Sequence, residues 1–182
     1  MDMNIEGRAK WITYTLAMIV VLAGAGGCGE SEGYAVPESL CGKKVAPQLL
    51  RPLLPAGERI DVRQGLEDDW SETCRVSVDK ELVLYIEDAR APGAIDATTY
   101  AWQPLRQLKN LHKADIGDDG MLANNGAYVV NRCTYRGKKS SYVLEIHVFG
   151  SLVKSSDSLR AKIQRFAKSY LPVGSEAMGC GK

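Results

Sequence analysis

The chain has 182 residues, and its 23 Lys and Arg against 22 Asp and Glu give a formal net charge of +1. A balance this even argues against nucleic acid as a partner, because nucleic-acid-binding domains carry a clear basic excess. The side chains with the most specific chemistry are five cysteines and two histidines.

The N-terminal residues have the order of a bacterial export signal. Arg8 and Lys10 supply positive charge, and Trp11 to Gly24 form an apolar run of signal-peptide length, which is short for a membrane span. Small residues then lead directly to Cys28. The sequence therefore predicts a lipoprotein signal peptide in residues 1–27, with the thiol of Cys28 accepting the lipid.

The segment in front of Cys28, Ala25-Gly26-Gly27, matches a bacterial lipobox except that Ala25 stands where Leu is preferred. Two alternatives stay open, an uncleaved N-terminal anchor helix and cleavage by the ordinary signal peptidase. The second would leave Cys28 as an unused odd thiol. Lipidation would anchor the chain stably, because each buried methylene contributes about 0.8 kcal/mol.

The other four cysteines are Cys41, Cys74, Cys133 and Cys180. An even number in an exported chain predicts two disulfides, although three pairings are possible. We favour Cys41 with Cys74 and Cys133 with Cys180, because each pair then brackets one half of the chain. A zinc site is the alternative, but none of these cysteines forms a Cys-x-x-Cys pair. We expect no metal ion and no cofactor.

The mature chain begins with a segment typical of a tether. Residues 28–38 are rich in Gly, Ser, Glu and Pro, and such segments do not order by themselves. Residues 39–182 are enough for one hydrophobic core and predict a single domain. Pro47 is well placed to open a short helix in this domain. Its core-facing residues are Leu49, Leu50, Leu53 and Leu54.

The first half of the domain predicts strands. Alternation indicates one strand over residues 59–64, and the acidic residues 65–70 are typical of a solvated loop. A hairpin follows, with its reversal at Asp79 and Lys80 and with residues 89–99 irregular after it. One apolar face is expected for each strand, Cys74, Val76 and Val78 on the first and Leu82, Leu84 and Ile86 on the second.

The middle of the chain predicts a second helix that Pro104 opens, with His112 near its end. His112 is interpreted as interacting with solvent and the helix dipole rather than as a catalytic base. The acidic turn from Asp115 to Gly120 suggests calcium, but its third position is Gly117 and its twelfth is Gly126. It therefore lacks the ligands of an EF-hand loop.

A second hairpin is predicted between Tyr128 and Val148, with its turn at Arg136-Gly137-Lys138-Lys139. Its last strand alternates, placing Tyr142, Leu144, Ile146 and Val148 on one face and Val143, Glu145, His147 and Phe149 on the other. We interpret His147 as a polar residue on the outward face of this strand, in preference to a catalytic group.

The last predicted element is an amphipathic helix that ends at Pro172. Its apolar stripe is Leu159, Ile163, Phe166 and Tyr170, and its polar face carries Arg160, Lys162, Arg165 and Lys168. Contact of this basic face with anionic head groups is one interpretation. A solvated face over a core-facing stripe is the simpler one.

The order of these features resembles the small extracytoplasmic lipoproteins of actinobacteria that are grouped as domains of unknown function. The resemblance is carried by Cys28, Cys41, Cys74, the turn Ile116-Gly117-Asp118 and the segment from Tyr128 to Tyr170. It implies a lipoprotein of the cell surface or cell wall and supplies no catalytic residues.

Together the elements predict an α+β fold, an antiparallel sheet built from two hairpins, covered by helices and closed by two disulfides. The expected function is that of a non-enzymatic lipoprotein at the outer face of the membrane, which binds an unknown protein or small molecule. The alternative is a cell-envelope hydrolase that uses carboxylates. The chain lacks the Gly-x-Ser-x-Gly and His-Glu-x-x-His motifs of other hydrolases. An accessory subunit of a neighbouring membrane machine is a third possibility.

Overall fold

An antiparallel sheet of seven strands is the main element of the computed structural model, which describes residues 33–97, 108, 110–154 and 156–180. The strands are β3 (Ile60–Glu67), β4 (Ser71–Val78), β5 (Glu81–Pro92), β6 (His112–Ala114), β7 (Asp119–Ala123), β8 (Gly126–Tyr135) and β9 (Lys138–Val148). Their order in the sheet is β3-β4-β5-β9-β8-β7-β6, so two meanders meet at the β5–β9 pair.

The remaining elements are short except for one helix. A two-stranded ladder, β1 (Ser39–Leu40) and β2 (Lys43–Lys44), precedes α1 (Pro47–Leu50), and the long helix is α2 (Ser156–Ala177). Two 3₁₀ helices cover Arg51–Leu53 and Gly150–Lys154.

The predicted α+β class, with an antiparallel sheet, helices and two disulfides, is confirmed. The predicted sheet of two hairpins is too small. Hairpins β4–β5 and β8–β9 are present, but β3, β6 and β7 extend the sheet on both sides. Positive φ angles at Asp79 and Lys80, and at Arg136 and Gly137, give these two hairpins the tight two-residue turns that suit twisted strands.

One face of the sheet, here called the first face, packs against α1, the 3₁₀ turn after it and α2. The predicted apolar stripes meet in this core, because strand residues two apart and helix residues three or four apart each share a face. Its members include Leu50, Leu53, Leu84, Ile86, Leu144, Ile146, Leu159, Ile163, Phe166 and Tyr170.

A β-bulge changes the expected face of Leu82. Val76 pairs with Leu84 whereas Ser77 pairs with Leu82, so Val83 is an extra residue in β5. Such an insertion reverses the alternation on one side of it. Leu82 therefore lies opposite Ser77 and remains 37% exposed, instead of joining Leu84 and Ile86 in the core.

The opposite face, here called the second face, has a smaller apolar core of its own. Over β7, β8 and β9 it buries Ala97, Leu108, Ala123, Tyr128, Val130 and Val143. The chain after β5 therefore covers this half of the sheet. Residues 89–92, predicted to be irregular, instead extend β5 to Pro92.

The sequence predicts that the last helix ends at Pro172, but α2 continues to Ala177. An interior proline costs a helix about 3 kcal/mol, so other contacts must offset it. Gly179, at φ +71°, ends the helix: its N–H donates to the carbonyl of Glu176, and the N–H of Cys180 donates to that of Ser175. These are the two bonds of a Schellman motif. Burial of Leu171 and Met178 holds the extra turns in place.

Three sequence predictions, the signal peptide, the tether and the second helix, fall wholly or partly outside the described residues. The signal peptide and residues 28–32 lie outside them, but from Gly33 onward the predicted tether packs against the domain: Tyr34 is 9% exposed, and its hydroxyl donates to the carbonyl of Pro55. The second predicted helix starts at Pro104, and residues 98–107, which include its start, are not among the described residues. His112 begins strand β6 and is exposed.

Candidate functional site

The four cysteines form the two disulfides that the sequence favoured. Cys41 bonds to Cys74 and Cys133 bonds to Cys180, with Cα–Cα distances of 5.8 and 5.2 Å. Cys28, the predicted lipidation site, lies outside the described residues. The disulfides fix the β1–β2 ladder and the chain after α2 to the sheet.

The second face of the sheet brings polar residues from five strands into two adjacent rows. In the first, here called the arginine row, neighbouring strands pair Arg63 with Arg75, Arg75 with Tyr85 and Tyr85 with His147. Directly opposed residues of antiparallel strands have Cβ atoms about 4.5–5.5 Å apart. Side chains along this row are therefore close enough to interact with one another or with a shared ligand.

The second row, here called the glutamate row, lies beside the first. Its members pair in the order Thr73, Glu87, Glu145 and Tyr128. Glu87 and Glu145 are thus direct neighbours across the β5–β9 pair. Two carboxylates placed opposite each other repel and need donors to stabilise them.

Each glutamate has such a donor in the arginine row. The Tyr85 hydroxyl donates to Oε2 of Glu87 over 2.8 Å, and Nε2 of His147 contacts Oε1 of Glu145. Burial, and next the hydrogen bond to Glu87, raise the pKa of Tyr85 above its ordinary value. Tyr85 therefore remains a protonated donor throughout the physiological pH range.

His147 and Glu145 are 4% and 6% exposed, so the prediction that His147 lies on an outward-facing polar surface is wrong. The ring of His147 stacks on Phe149 and meets the ring edge of Tyr85, with centroids 6.0 and 6.1 Å away. Among the described residues, the buried Nδ1 of His147 has no hydrogen-bond partner. This polar pair stands where the covered half of the second face meets the open half.

The open half is a groove of about 930 Å³ over β3, β4 and β5. Its lining includes the apolar side chains of Leu82 and Tyr85 and the polar side chains of Arg63, Arg75, Asp61 and Ser77. A volume of this order suits a small ligand or part of a larger one. The groove, the arginine row that contributes Arg63, Arg75 and Tyr85 to its lining, and the adjacent glutamate row form the candidate functional site.

A second polar cluster lies on the first face around Asp88, which is 1% exposed. Its carboxylate accepts hydrogen bonds from the hydroxyls of Tyr142 and Tyr170, the latter over 2.9 Å, and lies 3.3 Å from Nζ of Lys43. Lys43 also contacts Glu72. Burial raises the pKa of Asp88 above its ordinary value, while Lys43 and the two tyrosines act against this shift.

Helix α2 closes this Asp88 cluster. A Cβ atom added at Gly174 would lie 2.6 Å from Oδ1 of Asp88 and would collide with the hydroxyl of Tyr142. No substrate atom fits between the helix and the carboxylate, and both carboxylate oxygens already have donors. The cluster is therefore a structural network rather than an active site, even though Glu72 and Asp88 converge on one lysine.

Arg90 makes a further structural contact at the end of the same strand. Its guanidinium lies over the rings of Tyr135 and Trp70, 3.4 and 5.3 Å from their centroids, and donates to the carbonyls of Met178 and Asp69. Arg90 thus ties the loop between β3 and β4 to the chain that follows α2. Flat cation–aromatic stacks of this kind are typical of arginine.

The acidic turn gives no sign of a metal centre. Asp118 accepts a hydrogen bond from the N–H of Arg132, and exposed Asp115 pairs with Lys168 over 2.9 Å. In the described part of the chain, no three His, Cys, Asp or Glu side chains are arranged to hold a metal ion. Within the same residues, no helix is both long enough and apolar enough to cross a bilayer.

Comparison with known proteins gives no match: no protein-family model, no curated protein and no solved structure is similar to this chain. The function must therefore be argued from its own residues.

Proposed function

We propose that this protein is an extracytoplasmic lipoprotein, anchored to the outer face of the membrane through Cys28, which binds a ligand in the groove of its second face. The observation that carries the proposal is the segment Ala25-Gly26-Gly27-Cys28 at the end of an apolar run that follows basic residues. The even set of paired cysteines supports it, because disulfides persist in oxidising compartments.

The short segment between Cys28 and the domain sets how far an anchored domain could lie from the membrane. The domain packs from Gly33 onward, only five residues after Cys28. Five extended residues reach at most about 18 Å, given about 3.6 Å per residue. A lipid on Cys28 would therefore keep the domain next to the membrane surface.

Binding, rather than catalysis, suits the open part of the site. The groove combines the apolar side chains of Leu82 and Tyr85 with charged side chains that could hold a polar ligand group. Its arginine side chains and the tyrosine hydroxyl are donors at neutral pH, and two of its three carboxylates, Asp61 and Asp79, already accept hydrogen bonds from groups of the groove.

Replacing Cys28 with serine tests the anchor. Serine cannot accept the thioether-linked lipid, so we expect the C28S variant to leave the membrane fraction or to accumulate with its N-terminus uncleaved. Fractionation of cells and the mass of the N-terminal peptide measure both outcomes. The control is Ser31→Ala, which alters the same segment without removing the thiol. Normal processing and an unchanged membrane fraction in C28S would contradict the proposal.

One observation favours a second function, carboxylate-based hydrolysis of cell-envelope material: Glu87 stands directly opposite Glu145. A hydrolase acting through this pair would lose at least about a hundredfold in rate in Glu87→Gln, the usual loss when acid–base catalysis is removed. The control Glu81→Gln changes an exposed glutamate of the same strand. If the protein only binds a ligand, we expect no hydrolysis of labelled envelope polysaccharide by the unaltered protein, by Glu87→Gln or by Glu81→Gln.

A further inference from the structure

The groove opens beside the point where the tether enters the domain. The N–H of Gly33 donates to the carbonyl of Gly57 over 2.9 Å, and the next two residues, Glu58 and Arg59, line the groove. Given the proposed anchor on Cys28, on which this inference rests, the groove lies within reach of the lipid headgroups.

The cations of the groove exceed its available anions. Oδ2 of Asp61 is 2.5 Å from Nε of Arg63, and the carboxylate of Asp79 accepts hydrogen bonds from the N–H groups of Glu58 and Arg59. The described lining has four basic residues, Arg59, Arg63, Arg75 and Lys80, and three acidic ones, Glu58, Asp61 and Asp79, so its formal charge is +1. The groove therefore offers positive charge that its own carboxylates do not neutralise.

The most unusual feature of this charge is the direct opposition of Arg63 and Arg75 on neighbouring strands. Like charges at such a position destabilise a sheet pair unless an anion lies between them. Two guanidinium groups side by side offer the planar, bidentate donors that phosphate prefers. Leu82 and Tyr85 lie beside them in the same groove and provide apolar contact.

We propose that the groove binds the phosphate of a membrane lipid headgroup. Arg63 and Arg75 donate to the phosphate oxygens, and Leu82 and Tyr85 pack against the glycerol and the first methylenes of the lipid. The lipid is the favoured source of phosphate because the tether holds the groove at the membrane and because Leu82 and Tyr85 add apolar surface beside the arginines. A soluble phosphate would use only the arginines.

Native mass spectrometry of the full processed protein in detergent tests the proposal, with short-chain phosphatidylglycerol as the probe and diacylglycerol, which lacks the phosphate, for comparison. We expect Arg75→Gln to weaken phosphatidylglycerol binding about tenfold, the value of one charge-assisted hydrogen bond. Diacylglycerol binding should not change. The matched control is Arg132→Gln, which removes an exposed arginine from β8 outside the groove. It should leave phosphatidylglycerol binding unchanged.

Equal phosphatidylglycerol affinities in Arg75→Gln and Arg132→Gln would overturn the proposal, as would no binding by the unaltered protein. Inorganic phosphate that binds as tightly as phosphatidylglycerol would overturn the lipid as the source. The N-terminal peptide from the same preparation reports separately on the anchor. An unacylated Cys28 would therefore disprove the proposed function, whereas an acylated Cys28 with no effect of Arg75→Gln would disprove only the headgroup site.

Discussion

Replacing Asp88 with alanine is expected to lower the free energy of unfolding by about 3–5 kcal/mol, because it leaves buried polar groups without partners. The hydroxyls of Tyr142 and Tyr170 both donate to Asp88 and have almost no contact with solvent. Lys43 would retain only Glu72. Urea denaturation, followed by circular dichroism, measures the change.

Asp88→Asn separates the charge of this residue from its shape. An amide can still accept a hydrogen bond from one tyrosine, so the loss at neutral pH should be smaller than in Asp88→Ala. Exposed Asp115, which pairs with Lys168 at the surface, provides the control: Asp115→Ala should leave the unfolding midpoint unchanged. Equal losses for Asp88→Asn and Asp88→Ala would show that the hydrogen bonds of Asp88 contribute little.

The unaltered protein and Asp88→Asn should also differ in how their free energies of unfolding depend on pH. Burial raises the pKa of Asp88, so the folded protein binds this proton more tightly than the unfolded chain does. That contribution to stability is complete below the unfolded pKa, near about 3.9, and is lost as pH rises through the folded pKa. The free energy of unfolding of the unaltered protein should therefore fall relative to that of Asp88→Asn as pH rises above about 4.

The sequence predicted the first face of the sheet well, because each stripe there is uniformly apolar. Leu144 and Ile146 alternate along β9, and Ile163 and Phe166 recur at helical spacing, so period alone places them in one core. Leu82 shows the limit of this argument. The bulge at Val83 is set by the pairing of two strands, and a single strand's sequence contains no sign of it.

The burial of residues on the second face could not be predicted in the same way, because it depends on a segment that is distant in sequence. Glu145 and His147 occupy alternate positions of β9 and have the polarity of a solvent-facing row. They are buried because the chain after β5 returns over this half of the sheet, where Ala97 and Leu108 join the second core. Nothing local in β9 indicates that return.

The candidate site was missed for a related reason. Its members Arg63, Arg75, Tyr85 and His147 are far apart in the chain and form no motif. They become neighbours only through the register of β3, β4, β5 and β9. The one usable signal was that charged and aromatic residues occupy the non-core positions of successive predicted strands.

Removing either disulfide is the second large effect that we expect, at about 4 kcal/mol of unfolding free energy for each bond. The bridges span 33 and 47 residues, and the chain-entropy argument assigns similar stabilisation to loops of those sizes. The two loops do not overlap in sequence, so the losses in Cys41→Ala/Cys74→Ala and in Cys133→Ala/Cys180→Ala should add. The measurement is urea denaturation of each double variant.

Together the two losses amount to about 8 kcal/mol, which is comparable to the whole stability of an ordinary domain. The fully reduced protein should therefore be largely unfolded at physiological temperature. As a control, each double variant is measured under reducing conditions, which also open its remaining disulfide. Its free energy of unfolding should then equal that of the reduced unaltered protein. A double variant that loses less than about 1 kcal/mol would show that packing already restricts that loop in the unfolded chain or that its bridge strains the folded one.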